Sequence, residues 1–372
     1  MRIVAIGGGT GLSTLLQGLK KYTEERTDGA ASPRAATSSA GDARRVSDLT
    51  AVVTVADDGG SSGRLRREFQ VLPPGDIRNC MVALSEDAGL LSRLFQFRFS
   101  SGRGLKGHSF GNLFLTALTA VTGDFQEAVK LSGEVLAIRG RIFPSTMADV
   151  RLEAMMEDGR LVQGESRISR TRGRIARIRL APASCRPLPQ TLEAIEQADV
   201  ITVGPGSLFT SVLPNLLVEE VAAAIARSRA VKIYIANLMT QPGETTQFSA
   251  ADHLRAIVEH CGQPLFDYVL VNAAPISASA RKRYQAQKSQ PVAASSEELQ
   301  RLGVRVVEGD FVAEKRSGPA AGRWVRHHSE RLAKAVLEIA SSHHYWASSE
   351  KAARKRAARS ANQSRPSAHA QG

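Results

Sequence analysis

Short apolar runs rich in Val and Ile recur along the chain with helical patterns between them, and that alternation constrains its fold most. The runs are Ile3–Ile6, Ala51–Val55, Val200–Val203, Lys232–Ala236, Tyr268–Val271 and Val304–Val307. They lack strict apolar–polar alternation, as strands covered on both faces do. Helical spacing marks Leu192–Gln197, Leu216–Arg227 and Ala250–Cys261, and much of Pro74–Phe97 and Phe110–Thr122. A last helix is expected over Ser329–Ala340, where Leu332, Val336 and either Ile339 or Leu337 share one face. The reading is α/β: a parallel sheet flanked by helices.

Two segments depart from this pattern. Thr23–Asp48 is loaded with Ala, Ser, Thr, Gly and Arg, and is expected to be a disordered surface insertion. Asp149–Ala181 alternates like antiparallel strands around the hairpin dipeptide Asp158–Gly159, which predicts a small antiparallel β insertion. At 372 residues the chain could form one large or two ordinary domains. We read one domain over 1–346, with the β subdomain at about 149–181, and a basic tail over 347–372.

The formal charge is +13, but the tail holds six basic residues against the single Glu350. Such a stretch reads as a solvated, disordered appendage. With five Tyr and two Trp, no basic–aromatic interleaving is read, so nucleic acid is not expected as a partner. Cys80, Cys185 and Cys261 form no paired or metal-binding spacing, which fits a reducing compartment. No signal peptide or membrane span is read, and no membrane partner is expected. The expected location is the cytoplasm.

In an open parallel sheet, ligands sit beyond the carboxyl ends of the strands. The first strand runs into Gly7-Gly8-Gly9-Thr10-Gly11, where glycines allow a tight turn and close backbone approach before a helix begins. The free N–H groups and dipole of that helix favour a phosphate, although a plain connecting turn would look the same. Neither the strict dinucleotide fingerprint nor the Walker motif is present. The second strand leads to Asp57-Asp58-Gly59-Gly60-Ser61-Ser62-Gly63-Arg64, the third to Gly204-Pro205-Gly206-Ser207, and the fourth to Asn237 and Gln241. The fifth ends at Asn272. Together they predict a rim for a polar, phosphorylated ligand.

Asp57 and Asp58 could hold a hydroxyl-rich sugar or share a divalent cation with a diphosphate, or either could be a helix cap. Ser61, Ser62 and Arg64 could donate to phosphate. Asp76 is open between a cap and a ligand contact. Lys106, His108 and Asn112 could together meet a phosphate or move a proton, and Ser109 could cap the helix that follows. No Gly-x-Ser-x-Gly elbow or H-E-x-x-H pattern is found, so no catalytic residue is assigned and the metal question is left open.

The segments IGGGTGLSTLLQGLK, VTVADDGGSSGRLRREF, LPPGDIRNCMVAL, GHSFGNLFLTAL, VGPGSLFTSVLPNLL and NLMTQPGETTQF, in this order, resemble the gluconeogenesis-factor family. This is the bacterial branch of the CofD-like group, whose other branch contains 2-phospho-L-lactate transferase. The resemblance implies a Rossmann-like domain that binds a UDP-sugar, typically UDP-N-acetylglucosamine. It also implies a regulator needed for growth on gluconeogenic carbon and for cell shape, through peptidoglycan precursor supply. The implied site takes in Gly8, Gly9, Thr10, Gly11, Asp57, Asp58, Gly59, Ser61, Ser62, Arg64, Asn112, Gly204, Gly206, Ser207, Asn237 and Gln241. Tyr284, before Pro291-Val292, and Arg326, before the final helix, join it. Where the family has Arg-His-Asp, this chain has Arg326-His327-His328. The alternative is a CofD-like transferase that forms a phosphodiester from a nucleotide-activated 2-phospho-acid. Asp-Asp-Gly-Gly-Ser-Ser-Gly after the second strand is closer to the regulatory branch. A homodimer and regulatory protein partners are left open.

Overall fold

β-Branched side chains fill both faces of the apolar runs and favour a pleated strand held between helices. The structure, a computed structural model, describes residues 1–23, 45–86, 89–316 and 323–343. Its strands are β1 (Arg2–Gly7), β2 (Asp48–Val53), β3 (Arg141–Pro144), β4 (Arg151–Met156), β5 (Leu161–Gln163), β6 (Ile175–Ala181), β7 (Val200–Val203), β8 (Val231–Ile235), β9 (Tyr268–Asn272), β10 (Arg305–Gly309), β11 (Val312–Arg316) and β12 (Arg323–His327). Seven form one sheet in the order β10-β9-β8-β7-β1-β2-β3, every pair parallel. Ile3 lies between Leu49 and Val200 at its centre.

From β1 the chain builds outward through β2 to β3, then returns to β7 and builds the other way to β10. The reversal lies between β1 and β7, the switch point where α/β sheets open a crevice. Helix α1 (Gly9–Leu19) crosses it, and its face Leu12, Leu15, Leu16 and Leu19 is fully buried. Burying each leucine stabilises the fold by about 1.5–3 kcal/mol. α2 (Gly60–Phe69) and α3 (Gly75–Leu84) follow β2.

The expected β insertion forms as β5-β4-β6, with Gly159 at φ +83° in the turn after Met156. Four expectations need correction. β3 is a seventh parallel strand that sequence reading did not supply. The antiparallel hairpin β11–β12 was likewise not expected. The helix read over Leu216–Arg227 is broken: a π-turn at Leu208–Val212 leads to Leu213–Leu216, and Glu220 at φ +64° precedes Val221–Arg227. The insertion read as Thr23–Asp48 is narrower, since Thr23 bridges Val46 and Asp48 opens β2. Its middle, 24–44, and the tail 347–372 lie outside the described residues. No single described helix is long and apolar enough to cross a membrane, and the bent pair that passes by composition contributes to the core.

Candidate nucleotide pocket

A cavity of about 500 Å³ opens at the carboxyl ends of β1, β2, β7 and β8. Gly9 turns the chain at φ +62°, and α1 starts with no side-chain cap, so amides of its first turn face the cavity. A Cβ on Gly11 would stand 2.2 Å from the Pro205 carbonyl oxygen, so only glycine lets the β1 and β7 turns meet. The β7 and β8 turns are tied together in turn. Asn237 Oδ1 accepts from the Gly206 amide at 3.3 Å, and Gln241 Nε2 donates to Ser207 Oγ at 2.6 Å.

Hairpin β11–β12 supplies the outer wall. Arg326 is exposed and donates from Nη1 to Thr10 Oγ1 at 2.8 Å. His327 donates from Nε2 to the Ala236 carbonyl at 3.2 Å, and desolvation of its ring pushes its pKa down to about 4. It is therefore neutral near pH 7. The Tyr284 hydroxyl accepts from the Val325 amide at 3.3 Å while its ring meets Trp324 edge-on. The Arg283 guanidinium sits 4.0 Å from the Trp324 ring centroid and braces the same wall.

Three carboxyls also line the cavity. Asp57 accepts from the Gly59 amide at 2.8 Å, yet burial pushes its pKa up, with the Asp58 charge adding to the rise. Asp76, in the first turn of α3, is pressed against the glycine turn and accepts from the Gly9 amide. Burial, then the Asp57 charge, raises it to about 6. Glu165 opens the short helix Glu165–Ile168 of the β insertion, and burial followed by the Asp57 charge raises it to about 7. Behind them, Glu244 Oε1 accepts from Ser169 and Thr210, each at 3.1 Å. Among the described residues no three His, Cys, Asp or Glu side chains are arranged to hold a metal ion. The cavity thus combines donors for an anion with carboxyl acceptors for hydroxyls, and Asp76 meets the glycine turn directly.

The family model described as 2-phospho-L-lactate transferase CofD matches residues 3–312. The chain belongs to the CofD family. Its relatives within that family are gluconeogenesis factors. The Halalkalibacterium halodurans protein of that name is 45% identical over 336 residues, covering 90% of this chain and 95% of its own. The Bacillus subtilis protein of the same name is 43% identical, with 91% and 98% covered. A crystal structure of a Bacillus halodurans protein of the upf0052 family superposes with a TM-score of 0.80 at 45% identity, covering 90% of this chain and 98% of that one.

In this CofD-family chain the cavity is lined by Gly8, Gly9, Thr10, Gly11, Asp57, Gly206, Ser207, Asn237, Gln241, Tyr284 and Arg326, all expected from sequence. The other expected residues lie elsewhere. Asp58 turns the opposite way and accepts from the Ser166 amide at 2.8 Å, anchoring the β insertion. Gly59 starts the turn into α2, and Ser62 lies beneath Asp57 as a hydrogen-bond partner. Ser61 pairs with His108 Nδ1 at 2.9 Å, and Arg64 donates to the Lys106 carbonyl at 2.8 Å. Asn112 is buried and accepts from Arg78 Nε at 3.0 Å. Gly204, at φ +84°, packs on the Ile235 carbonyl behind the turn. The expected phosphate contact by Lys106, His108 and Asn112 is therefore not assembled at this cavity.

Asp76, left open above, lines the cavity and does not cap α3, which starts after Pro74. Sequence reading missed Glu165, Thr210, Ser211, Gln287, Ser289 and His327 among the lining residues. Only Gly164, at φ +94° just before Glu165, hints at a special position in the chain. His328 stands immediately before helix 329–343, and its Nδ1 accepts a long contact from the Arg331 amide at 3.5 Å.

Proposed function

We propose that this cavity binds a nucleotide diphosphate sugar, with UDP-N-acetylglucosamine the first candidate, and that the protein works as a binding regulator without turnover. One observation carries the reading: a cavity at the sheet's switch point brings phosphate donors and carboxyl acceptors together. The α1 amides, Thr10 and Arg326 suit a diphosphate, because backbone N–H groups and a planar guanidinium fork both match phosphate oxygens. Asp57, Asp76 and Glu165 suit the hydroxyls of a sugar, which donate to carboxylates. Gluconeogenesis-factor relatives support a role in growth on gluconeogenic carbon. Cytoplasmic location and an effect on cell shape complete the proposal.

The family model's transferase description and the clustered acids favour a second reading, phosphodiester formation from a nucleotide-activated 2-phospho-acid. That chemistry needs cation help to stabilise charge on the transferred phosphorus. Calorimetric titration with UDP-N-acetylglucosamine, with and without magnesium, separates the two. Binding without a cation and without nucleotide release supports the regulator. Cation-dependent release of nucleoside monophosphate from a nucleotide-activated 2-phospho-acid, when an alcohol acceptor attacks its phosphorus, would establish the transferase.

A further inference from the structure

Between Ala88 and Gly123 the chain contains no Asp or Glu, but it carries Arg93, Arg98, Arg103 and Lys106. Soluble surfaces rarely gather large apolar side chains in one place. Here Leu90 is 76% exposed, and Leu91, Phe97 and Leu105 are each close to half exposed. These residues belong to the short helix Leu90–Gln96 and the loop that follows it.

The loop has a fixed base. Arg98 bridges Ser109 in antiparallel fashion, the Phe99 amide donates to the His108 carbonyl, and the Gly107 amide donates to the Phe99 carbonyl. Arg98 Nη1 also donates to the Gly107 carbonyl, so the guanidinium closes the loop mouth. Residues 100–106 stand exposed beyond that base, with Gly102 and Gly104 at positive φ. At the base of the loop, Glu68 is an acidic group whose charge acts on His108.

We propose that this basic, apolar-tipped loop docks the protein on an anionic lipid bilayer surface. Aliphatic side chains flanked by Arg and Lys are the composition that settles into the headgroup boundary while cations meet acidic headgroups. A second copy is a poor occupant, because a two-fold contact would set the same four cations against each other. A single-stranded nucleic acid is also a poor one. The Phe97 and Phe99 rings meet edge-on at 5.1 Å and 81°, and Phe95 is buried, so no open pair of flat faces is offered to bases. The inference departs from the expectation of no membrane partner, which rested on the absence of spanning runs and not on exposure. It is independent of the nucleotide proposal.

Co-sedimentation of the full chain with vesicles of phosphatidylglycerol and phosphatidylcholine tests it, with pure phosphatidylcholine as control. Binding is expected to anionic vesicles only and to weaken with salt. Arg103→Glu with Lys106→Glu, and separately Leu90→Asp with Leu105→Asp, are expected to weaken it about tenfold. Both should leave thermal unfolding and nucleotide affinity unchanged. In Phe97→Trp, vesicle addition is expected to shift the new emission to the blue. Equal binding by wild type and loop variants would assign attraction to the tail and overturn the proposal. Absence of vesicle binding, or capture by a single-stranded oligonucleotide in its place, would overturn it too.

Discussion

A carboxyl buried against Gly8 and Gly9 holds its proton more tightly in the folded chain than in the unfolded one, which is why Asp76 rises to about 6. At pH 8 it is ionised in both states, so the folded state carries the whole cost of burying the charge. That cost shrinks as pH falls through the folded pKa and vanishes below the unfolded value. Asp76→Asn is therefore expected to stabilise the fold at pH 8 by roughly 2 kcal/mol, with the gain fading at acid pH, in urea unfolding curves. Such a buried charge is retained where function requires it. Asp76 and Glu165 also line the cavity. As pH rises from about 5.5 to 8 they ionise, so cation-free affinity for an anionic nucleotide is expected to fall roughly tenfold in calorimetry. A site that needed a bridging cation would show the opposite slope in magnesium. Arg326 is exposed, so Arg326→Ala should leave stability nearly unchanged while weakening nucleotide binding about 10- to 100-fold. Asp57 and Asp58 show what adjacency hides: neighbours on an extended segment point to opposite sides, so one faces the cavity and the other the β insertion.

At the scale of elements, the glycine turn makes two separable predictions. Gly9 has open space around its missing Cβ but sits at φ +62°. Gly9→Val is expected to cost about 1–2 kcal/mol through left-handed backbone strain, to fold, and to lose nucleotide binding by filling the cavity. Gly11→Ala strikes a backbone carbonyl that cannot swing aside, so it is expected to lower the melting temperature more than the valine does at Gly9. Five of the six sheet strands read from sequence were legible because burial on both faces writes a mostly apolar run, whereas β10 is a partly exposed edge strand whose adjacent valines alone marked it. β3 was not, because a four-residue edge strand that begins with Arg and ends with Pro carries no such run, and only an edge tolerates that proline. β12 reads Arg-Trp-Val-Arg-His, a half-exposed pattern without a periodic signature. The break at Glu220 is equally silent in composition.

Across the whole molecule, four of the five strand tips that sequence reading assigned to one rim meet in one cavity, since parallel order places every carboxyl end on the same edge, while Asn272 after β9 lines a separate, smaller cavity. The carboxyl acceptors were only partly legible. Asp57 and Asp76 follow β2, but Glu165 arrives from the β insertion, and no local pattern records where an insertion folds back. Two of the expected donors, Arg64 and Asn112, were absorbed by contacts among α2, α3, Phe110–Thr122 and the 98–108 loop. Removal of residues 347–372 is expected to leave nucleotide affinity unchanged, because their composition reads as a solvated appendage; reduced affinity in the same titration would make the tail part of the site. The most direct measurement is calorimetric titration of the intact protein with UDP-N-acetylglucosamine, without divalent cation, beside Arg326→Ala. Saturable one-site binding that the variant loses while staying folded is the predicted result. No heat and no thermal stabilisation at millimolar nucleotide sugar would contradict the account.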